Sequence, residues 1–383
     1  MSIFDVRHQE RAHRIIQRAM TSQRIPHAYL FVGPEGVGKE MLALRLGRVL
    51  LCESPIRQPA PEGVSDSPLE AQDACGQCAD CRLVEAGTHP DLHLIYRQLN
   101  RQHPEPLVRK QKALFVGVDV IRHFLIGRAG TCPSRGRAKV FVVREAERMN
   151  EAAQNCLLKS LEEPSPSTFI ILISSALDRM LPTVRSRCQP VAFQPLPTDF
   201  VSEQLHKLRP DADPQAINYL AQRSGGSLGV ACKLLDDGLF PIKQAWGDQL
   251  AALLRPARGF APNELAKPFA EDAKKLGKCV SARDPDVSDT DATRQGLQSL
   301  LAVLADYYLD ALRRRVGAVL PAINSDHPEI AEQLAVSRAT PALLASLRAI
   351  TETDTHITRN ANIDLALESL FIKLARNSTG QAA

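Results

Sequence analysis

Short apolar runs alternate with helical patterns along the first half of the chain. Helical periodicity appears at about 39–52, 118–129 and 151–163. The apolar runs of strand length are residues 28–32, 91–96, 139–143, 168–174 and 190–194. Alternation of this kind predicts a parallel sheet covered by helices.

The strand pattern stops after residue 197, and helical patterns follow. Residues 198–242 are typical of a small helical unit, and residues 243–383 of a domain of amphipathic helices, clearest from about residue 293. The chain is therefore predicted to form three domains: an α/β domain at 1–197 and two all-α domains after it.

Local signals place helix ends and loops within this frame. Asn150 is a plausible N-cap for the helix at 151–163, and Pro164 ends that helix. Two stretches are predicted to be loops: residues 53–74, rich in Pro, Ser and acidic side chains, and residues 282–292.

Composition and charge restrict the class of protein. The 383 residues are 44% apolar and 23% charged, as in ordinary globular proteins, and the net charge of +4 is too small to indicate nucleic-acid binding by itself. Since no apolar run approaches the roughly 18 to 20 residues of a membrane span, and the N-terminus is charged, a cytoplasmic protein is predicted. Nine cysteines, an odd number, fit a reducing compartment in which clustered cysteines bind metal.

The stretch GPEGVGKE, residues 33–40, is one residue short of a standard phosphate-binding loop. Gly33, Gly36 and Gly38 permit a tight turn between a buried strand and a helix, and Lys39 is placed to reach phosphates. The usual Ser or Thr of the last position is replaced by Glu40. The context predicts descent from phosphate-loop proteins.

The two usual contacts to magnesium are both altered. Hydrolysis requires a metal held by the loop hydroxyl and by an aspartate at the end of a second strand. Glu40 replaces the hydroxyl, and in KVFVVREAERM the aspartate position is Arg144, so that only Glu145 of the acidic pair remains. The loss of both magnesium contacts, at two distant places in the sequence, predicts a chain that does not hydrolyse nucleotide. Nucleotide binding without hydrolysis stays open.

A cysteine cluster predicts a metal site. Cys75, Cys78 and Cys81 have C-x2-C-x2-C spacing, and Cys52, at the end of the preceding helix, is the natural fourth ligand. Four thiolates suit tetrahedral zinc, and an iron–sulfur cluster uses four as well. His89 is better explained by its lead into the next strand, and the remaining cysteines are scattered: Cys132, Cys156, Cys188, Cys232 and Cys279.

Several segments together resemble one family. HAYLFVGPEGVGK, the cysteine cluster, HPDLHLI, MNEAAQNCLLKSLEEPSPSTFIILIS and LPTVRSRCQ are similar to the AAA+ subunits of bacterial DNA polymerase III clamp loaders. The likeness covers residues 20 to about 235 well, and the C-terminal third mainly in helical character. It implies an AAA+ P-loop domain, a small helical lid and a C-terminal helical collar, with structural zinc bound in a module at 52–81.

Among these subunits the chain is more similar to the non-hydrolysing member than to the gamma/tau motor. Motor subunits carry an arginine, the sensor 2 residue, where this chain has Gly229, and the sensor 1 position is Ser174 or Ser175. The alternative is an active ATPase of the gamma/tau type. A third possibility is a zinc-dependent nucleic-acid binder without a role in clamp loading.

The resemblance also assigns a role to the Ser186–Arg187–Cys188 motif. In the family this arginine reaches the ATP of the next subunit and acts as an arginine finger, while Arg185 lies outside the motif. The implied partners are the delta and gamma/tau subunits, with the sliding clamp and primer–template DNA met through the assembly. The implied cofactor is zinc, and ATP binding is left undecided.

Overall fold

The computed structural model describes residues 2–59, 71–135, 137–254 and 261–376. These residues form two compact units, Met1–Pro197 and Thr198–Ala383. The division coincides with the point at which the strand pattern ends in the sequence.

A parallel five-stranded sheet forms the centre of the first unit, as predicted. Its strands are β1 (Ala28–Val32), β4 (Leu92–Ile95), β5 (Lys139–Val143), β6 (Thr168–Ser174) and β7 (Gln189–Ala192). The order across the sheet is β4-β5-β6-β1-β7, and each neighbouring pair runs parallel. Every residue of β5 is buried, which explains why these strands appear as continuous apolar runs.

Helices cover this sheet and end close to the predicted positions. They are α1 (Glu10–Thr21), α2 (Lys39–Leu51), α3 (Ala79–Glu85), α4 (Pro106–Arg109), α5 (Val118–Val120), α6 (Gly127–Ala129), α7 (Glu151–Glu162) and α8 (Pro182–Arg185). A π-helical stretch, Ile121–Ile126, joins α5 to α6. The side chain of Asn150 accepts a hydrogen bond from the N–H of Ala153, and it is therefore the N-cap of α7, as expected.

The sheet brings the chain segments of the candidate site together. The carboxyl ends of parallel strands meet at one edge of a sheet, so the loops after β1, β5 and β6 are neighbours. At the first of these loops the backbone runs very close to the segment after β7: a Cβ at Gly33 would lie 2.5 Å from the carbonyl oxygen of Phe193. Only glycine fits that position.

The loops predicted at 53–74 and 282–292 are partly wrong. In the first, β2 (Ile56–Gln58) and β3 (Ala71–Asp73) form an antiparallel pair, while residues 60–70 lie outside the described residues. Both strands are too short to show a period of two in the sequence. The second loop is short, because the flanking helices extend to Arg283 and back to Asp289, where Ser288 is the N-cap.

The second unit is helical throughout its described residues. Its helices are α9 (Thr198–Leu208), α10 (Pro214–Arg223), α11 (Leu228–Asp236), α12 (Leu239–Leu254), α13 (Ala266–Arg283), α14 (Asp289–Arg315), α15 (Pro328–Ser337), α16 (Thr340–Thr358) and α17 (Ile363–Arg376). Helix α12 runs through the position, between 242 and 243, at which the sequence pattern placed a domain boundary. No helix in the described ranges is both long and apolar enough to cross a bilayer.

Helices α13 and α14 approach each other closely through two glycines. A Cβ at Gly296 would lie 2.1 Å from the carbonyl oxygen of Ala273, and one at Gly277 would lie 2.9 Å from the carbonyl group of Ala292. Because both glycines lack a side chain, the two helix backbones pack directly against each other.

A fully buried lysine joins three helices of the second unit. The Lys243 ammonium lies 2.6 Å from both carboxylate oxygens of Asp326, whose side chain is 3% exposed. The same nitrogen lies over the rings of Tyr219, Tyr307 and Phe240, at 4.7, 5.1 and 5.7 Å from their centroids. Burial lowers the pKa of Lys243, and the hydrogen bonds to Asp326 act in the opposite direction.

Replacement of this lysine tests its structural role. Lys243→Met leaves the Asp326 carboxylate buried without its partner, so we expect a loss of about 3 to 5 kcal/mol in the free energy of unfolding. Trp246 is the only tryptophan of the chain and lies on α12, so urea unfolding followed by its fluorescence reports on this unit.

The control is Lys275→Met. Lys275 pairs with Asp272 at 2.7 Å, but its side chain is 69% exposed, so we expect a loss of about 1 kcal/mol or less. Equal losses in the two variants would contradict the assignment of Lys243 as a buried structural cation.

Candidate functional site

The predicted phosphate-binding loop has the backbone of one. Gly36 and Gly38 adopt positive φ angles of 70° and 98°, and α2 begins directly afterwards at Lys39. A cavity of about 610 Å³ opens beside this loop at the carboxyl edge of the sheet. It is lined from the loop, from the segments after β4 and β5, and from the end of β6. The loop therefore borders a pocket large enough for a ligand.

Lys39 is engaged by its own loop. Its ammonium donates hydrogen bonds to the carbonyl oxygen of Gly33, at 2.6 Å, and to that of Pro34. Burial lowers the pKa of Lys39, while the negative charges of Glu147 and Glu35 act in the opposite direction. To reach a phosphate in the cavity, the side chain would have to leave both carbonyl groups.

The two residues that replace the magnesium contacts bind each other. The Arg144 guanidinium forms an ion pair and hydrogen bond with the Glu40 carboxylate, although the residues are 104 positions apart. The Arg144 guanidinium also lies 5.9 Å from the centre of the Tyr96 ring. One residue supplies an anion and the other a cation, so a charge pair joins the loop to the segment after β5 at the wall of the cavity.

The remaining acidic residue of the second motif is also paired. Glu145 adopts a left-handed backbone conformation with φ of 47°. Its two carboxylate oxygens lie 3.2 Å from Nε of Arg97 and 3.0 Å from Nε of Arg148. Both carboxylate oxygens of Glu145 are therefore engaged by guanidinium groups.

The two serines predicted for the sensor 1 position, Ser174 and Ser175, differ in their surroundings. Ser174 is buried, and its hydroxyl exchanges hydrogen bonds with the backbone of Ala176 at 3.2 Å. Ser175 lines the cavity and donates a hydrogen bond to Glu147. Gly229, at the sensor 2 position, lies in the first turn of α11 in the second unit.

The sequence pattern did not identify several cavity residues. Arg97, Arg148, Glu147 and Tyr96 line the cavity or bind the residues that do. A signal was present for two of them: Tyr96 and Arg97 directly follow β4, whose carboxyl end lies beside that of β5. The pairing of Arg97 with Glu145 cannot be read from periodicity, because this contact joins separate segments.

The four predicted metal ligands lie together. The sulfurs of Cys52, Cys75, Cys78 and Cys81 are all within 4.8 Å of one another, and two of the distances are 3.9 and 4.0 Å. Four sulfurs at about 2.3 Å from one zinc ion in a tetrahedron are about 3.8 Å apart. These distances are too long for a disulfide, and they fit a single ion better than an iron–sulfur cluster, which holds its cysteines farther apart.

Local backbone geometry orients these thiols. The N–H groups of Cys75, Cys78 and Cys81 point at the sulfurs of Cys52, Cys75 and Cys78, at 3.3, 3.4 and 3.3 Å. Backbone N–H donors lower the pKa of Cys75 to about 6, whereas burial raises that of Cys81 to about 12. The N–H donors stabilise thiolates, the form in which cysteine binds metal.

His89 has a different role from the thiols. Its Nδ1 accepts a hydrogen bond from the N–H of Asp91 at 3.1 Å, so its Nε2 carries the proton and faces the Asp80 carboxylate at 3.3 Å. Both ring nitrogens are therefore used in tying α3 to the start of β4, in agreement with the predicted lead into that strand.

The Ser186–Arg187–Cys188 motif directly follows α8. The Cys188 thiol is buried in the core, which raises its pKa to about 12, and the Ser186 hydroxyl donates to the carbonyl oxygen of Thr183 at 3.1 Å. Arg187 is 35% exposed, and its guanidinium contacts Glu162 at 2.5 Å and the Thr183 carbonyl oxygen at 2.9 Å. The motif therefore anchors one side chain inside the unit and leaves the arginine at the surface.

Comparison with known proteins gives a consistent picture. A family profile described as "DNA polymerase III, delta subunit" matches residues 8–197. DNA polymerase III subunit delta' of Pseudomonas aeruginosa is 39% identical over 214 residues, which are 56% of this chain and 57% of that protein. The corresponding Bacillus subtilis subunit is 25% identical over 366 residues, or 96% of both chains.

A motor subunit is also similar. DNA polymerase III subunit tau of Escherichia coli is 29% identical over 239 residues, which cover 61% of this chain but only 32% of tau. The matched part thus spans little more than half of the Pseudomonas relative and about a third of tau. The delta prime subunits, by contrast, include one that aligns over nearly the whole of both chains. Residues 8–197 therefore match the DNA polymerase III delta-subunit family, and the relatives support a delta prime-like clamp-loader subunit.

Proposed function

We propose that this chain is a non-hydrolysing delta prime subunit of a DNA polymerase III clamp loader, which helps to load the sliding clamp onto primed DNA. The observation that carries the proposal is the ion pair between Glu40 and Arg144. A nucleotide is hydrolysed in phosphate-loop proteins with a magnesium ion between its phosphates. In this chain a fixed cation and anion take the place of both protein ligands of that ion.

Two further contacts support the absence of turnover. The Glu145 carboxylate is bound by Arg97 and Arg148 and is therefore poorly suited to activate water. The Lys39 ammonium is bound by two loop carbonyl groups instead of facing outward. The retained glycines explain the loop conformation without requiring catalysis. An active ATPase of the gamma/tau type would need each of these contacts to be broken.

We propose that Arg187 acts in trans as an arginine finger. A guanidinium is charged at any working pH and presents several donors in a rigid fork, which suits the charge that develops on a departing phosphoryl group. The exposed position of Arg187 and the anchoring of Cys188 beside it support this role. A chain that does not hydrolyse ATP would thereby complete the active site of an adjoining subunit.

We propose that Cys52, Cys75, Cys78 and Cys81 bind a structural zinc ion. The ion would join Cys52, at the end of α2, to Cys75 and Cys78 before α3 and to Cys81 in its first turn, and so stabilise this module. The proposed partners of the chain are the delta and gamma/tau subunits. The second unit would form the lid, residues 198–242, and the collar, residues 243–383. Clamp and primer–template DNA would be contacted through the assembly.

The zinc proposal predicts a change in metal content. Mass spectrometry of the wild-type protein should show about one zinc ion per chain. The Cys78→Ser variant should lose this ion, and the first unit of the variant should unfold at a lower temperature than that of the wild type. The matched control is Cys132→Ser, since Cys132 is exposed and outside the cluster. Full zinc content in the Cys78 variant would refute the assignment.

The ion pair predicts a specific double variant. Glu40→Thr with Arg144→Asp restores both kinds of magnesium ligand, so calorimetric titration with ATP should give affinity at least about tenfold higher with magnesium than with chelator. Each single variant should lack this dependence, because it leaves one charge of the pair uncompensated. The proposal fails if the wild-type chain alone binds and hydrolyses magnesium–ATP, with loss of hydrolysis in Lys39→Ala.

The finger proposal predicts a kinetic defect in the reconstituted clamp loader. With Arg187→Ala the complex should assemble, but the phase of single-turnover ATP hydrolysis that belongs to the adjoining site should slow by about a thousandfold. Arg185→Ala, two residues away and also exposed, should keep this phase. Unchanged hydrolysis in the Arg187 variant would contradict the role in trans.

A further inference from the structure

The carboxylate partner of Arg187 occupies an unusual position. Glu162 is the last residue of α7, and the carbonyl groups at the end of a helix carry partial negative charge. A glutamate there is unfavourable unless a cation compensates it. In this chain the compensating cation is Arg187, whose Nη2 lies 2.5 Å from the Glu162 carboxylate.

The guanidinium is held by three acceptors of the first unit. Glu162 contacts Nη2, and Nη1 donates hydrogen bonds to the carbonyl oxygen of Thr183 at 2.9 Å and to the Ser186 hydroxyl oxygen at 3.5 Å. The guanidinium has five N–H donors in all. Since the side chain is 35% exposed, the donors that these acceptors do not use remain available and form the open edge of the fork.

Both acceptors stand on rigid parts of the first unit. Leu157 and Leu161 of α7 and Val184 of α8 are buried in the same hydrophobic core as Cys188. The carboxylate and the carbonyl therefore do not move independently of the segment that carries the arginine. This arrangement resembles the support that rigid neighbours give to a functional side chain.

We propose that Glu162 is a positioning residue for Arg187: it holds the guanidinium in the orientation in which the open edge of the fork meets the phosphate of the adjoining subunit. The inference rests on the proposed role of Arg187 in trans. An arginine side chain that is free to rotate loses conformational entropy when it binds. The pairing removes part of that freedom before the subunits meet, and so lowers the cost of the contact.

The test uses the reconstituted clamp loader with variants at Glu162. Glu162→Ala should slow the hydrolysis phase of the adjoining site by about tenfold, because loss of positioning reduces rate without removing the cation. The KM for ATP should not change, since the neighbouring subunit binds the nucleotide. Glu162→Gln, which keeps a hydrogen-bond acceptor, should restore part of the rate. Glu163→Ala, also exposed and one residue away, should behave as wild type.

A double variant separates positioning from a merely structural effect. In the Arg187→Ala background, Glu162→Ala should cause no further loss, because the two residues act through one group. Equal slowing in both backgrounds, or an unchanged or faster phase in Glu162→Ala alone, would overturn the inference. A faster phase would identify Glu162 as a competitor for the guanidinium instead.

A measurement on the isolated chain keeps this inference distinct from the role in trans. Nitrogen NMR relaxation of the Arg187 Nε should show an ordered side chain in the wild type and a mobile one in Glu162→Ala. If Arg187→Ala leaves hydrolysis unchanged, the role in trans fails, whatever the NMR result. If Arg187→Ala slows hydrolysis but the Nε dynamics are identical in the two proteins, only the positioning role fails.

Discussion

The ion pair between Glu40 and Arg144 is the contact on which the proposed absence of nucleotide hydrolysis depends. Each residue alone would place an uncompensated charge at the edge of the sheet, and together they neutralise each other. The pair joins the start of α2 to the end of β5, so it also links the two segments that a metal ion would otherwise bridge. Other charged groups of the cavity are likewise bound by the protein itself: Glu145 by two guanidinium groups and Lys39 by two carbonyl groups.

The fold itself is fully retained around this altered site. The five parallel strands keep their order, the glycines keep their positive φ angles, and the thiol cluster closes the far end of the helix that the loop begins. The same core also supports Arg187, because α7, α8 and Cys188 are buried in it. The proposed loss of hydrolysis is therefore compatible with an intact fold.

Much of the fold could be predicted from the sequence. The strands Ala28–Val32, Lys139–Val143 and Thr168–Ser174 match the apolar runs residue for residue, because buried parallel strands are apolar on both faces. Short spacings predicted the thiol cluster equally well. The sequence did not predict the strands β2 and β3 or the early start of α14, because three-residue strands and polar first turns have no distinctive period.

The sequence predicted which residues of the candidate site are unusual, but not which side chains bind each other. The sequence identified Glu40 and Arg144 as departures from a motif, but it did not indicate that they bind each other across 104 residues. The partners of Glu145 and Arg187 were missed for the same reason. Periodicity describes one segment at a time, whereas Arg97 and Glu162 reach their partners through the arrangement of strands and helices.

The hydrogen bonds of Lys39 have a consequence for the recognition of phosphate-binding loops in protein sequences. The ammonium lies against the carbonyl groups of Gly33 and Pro34, so the lysine stabilises the turn that carries it. Such a lysine has a structural role in the loop that does not depend on a bound nucleotide. A search that counts only the glycines and the lysine therefore does not separate this role from phosphate binding, whereas the next residue, Glu40 in this chain, adds a second criterion.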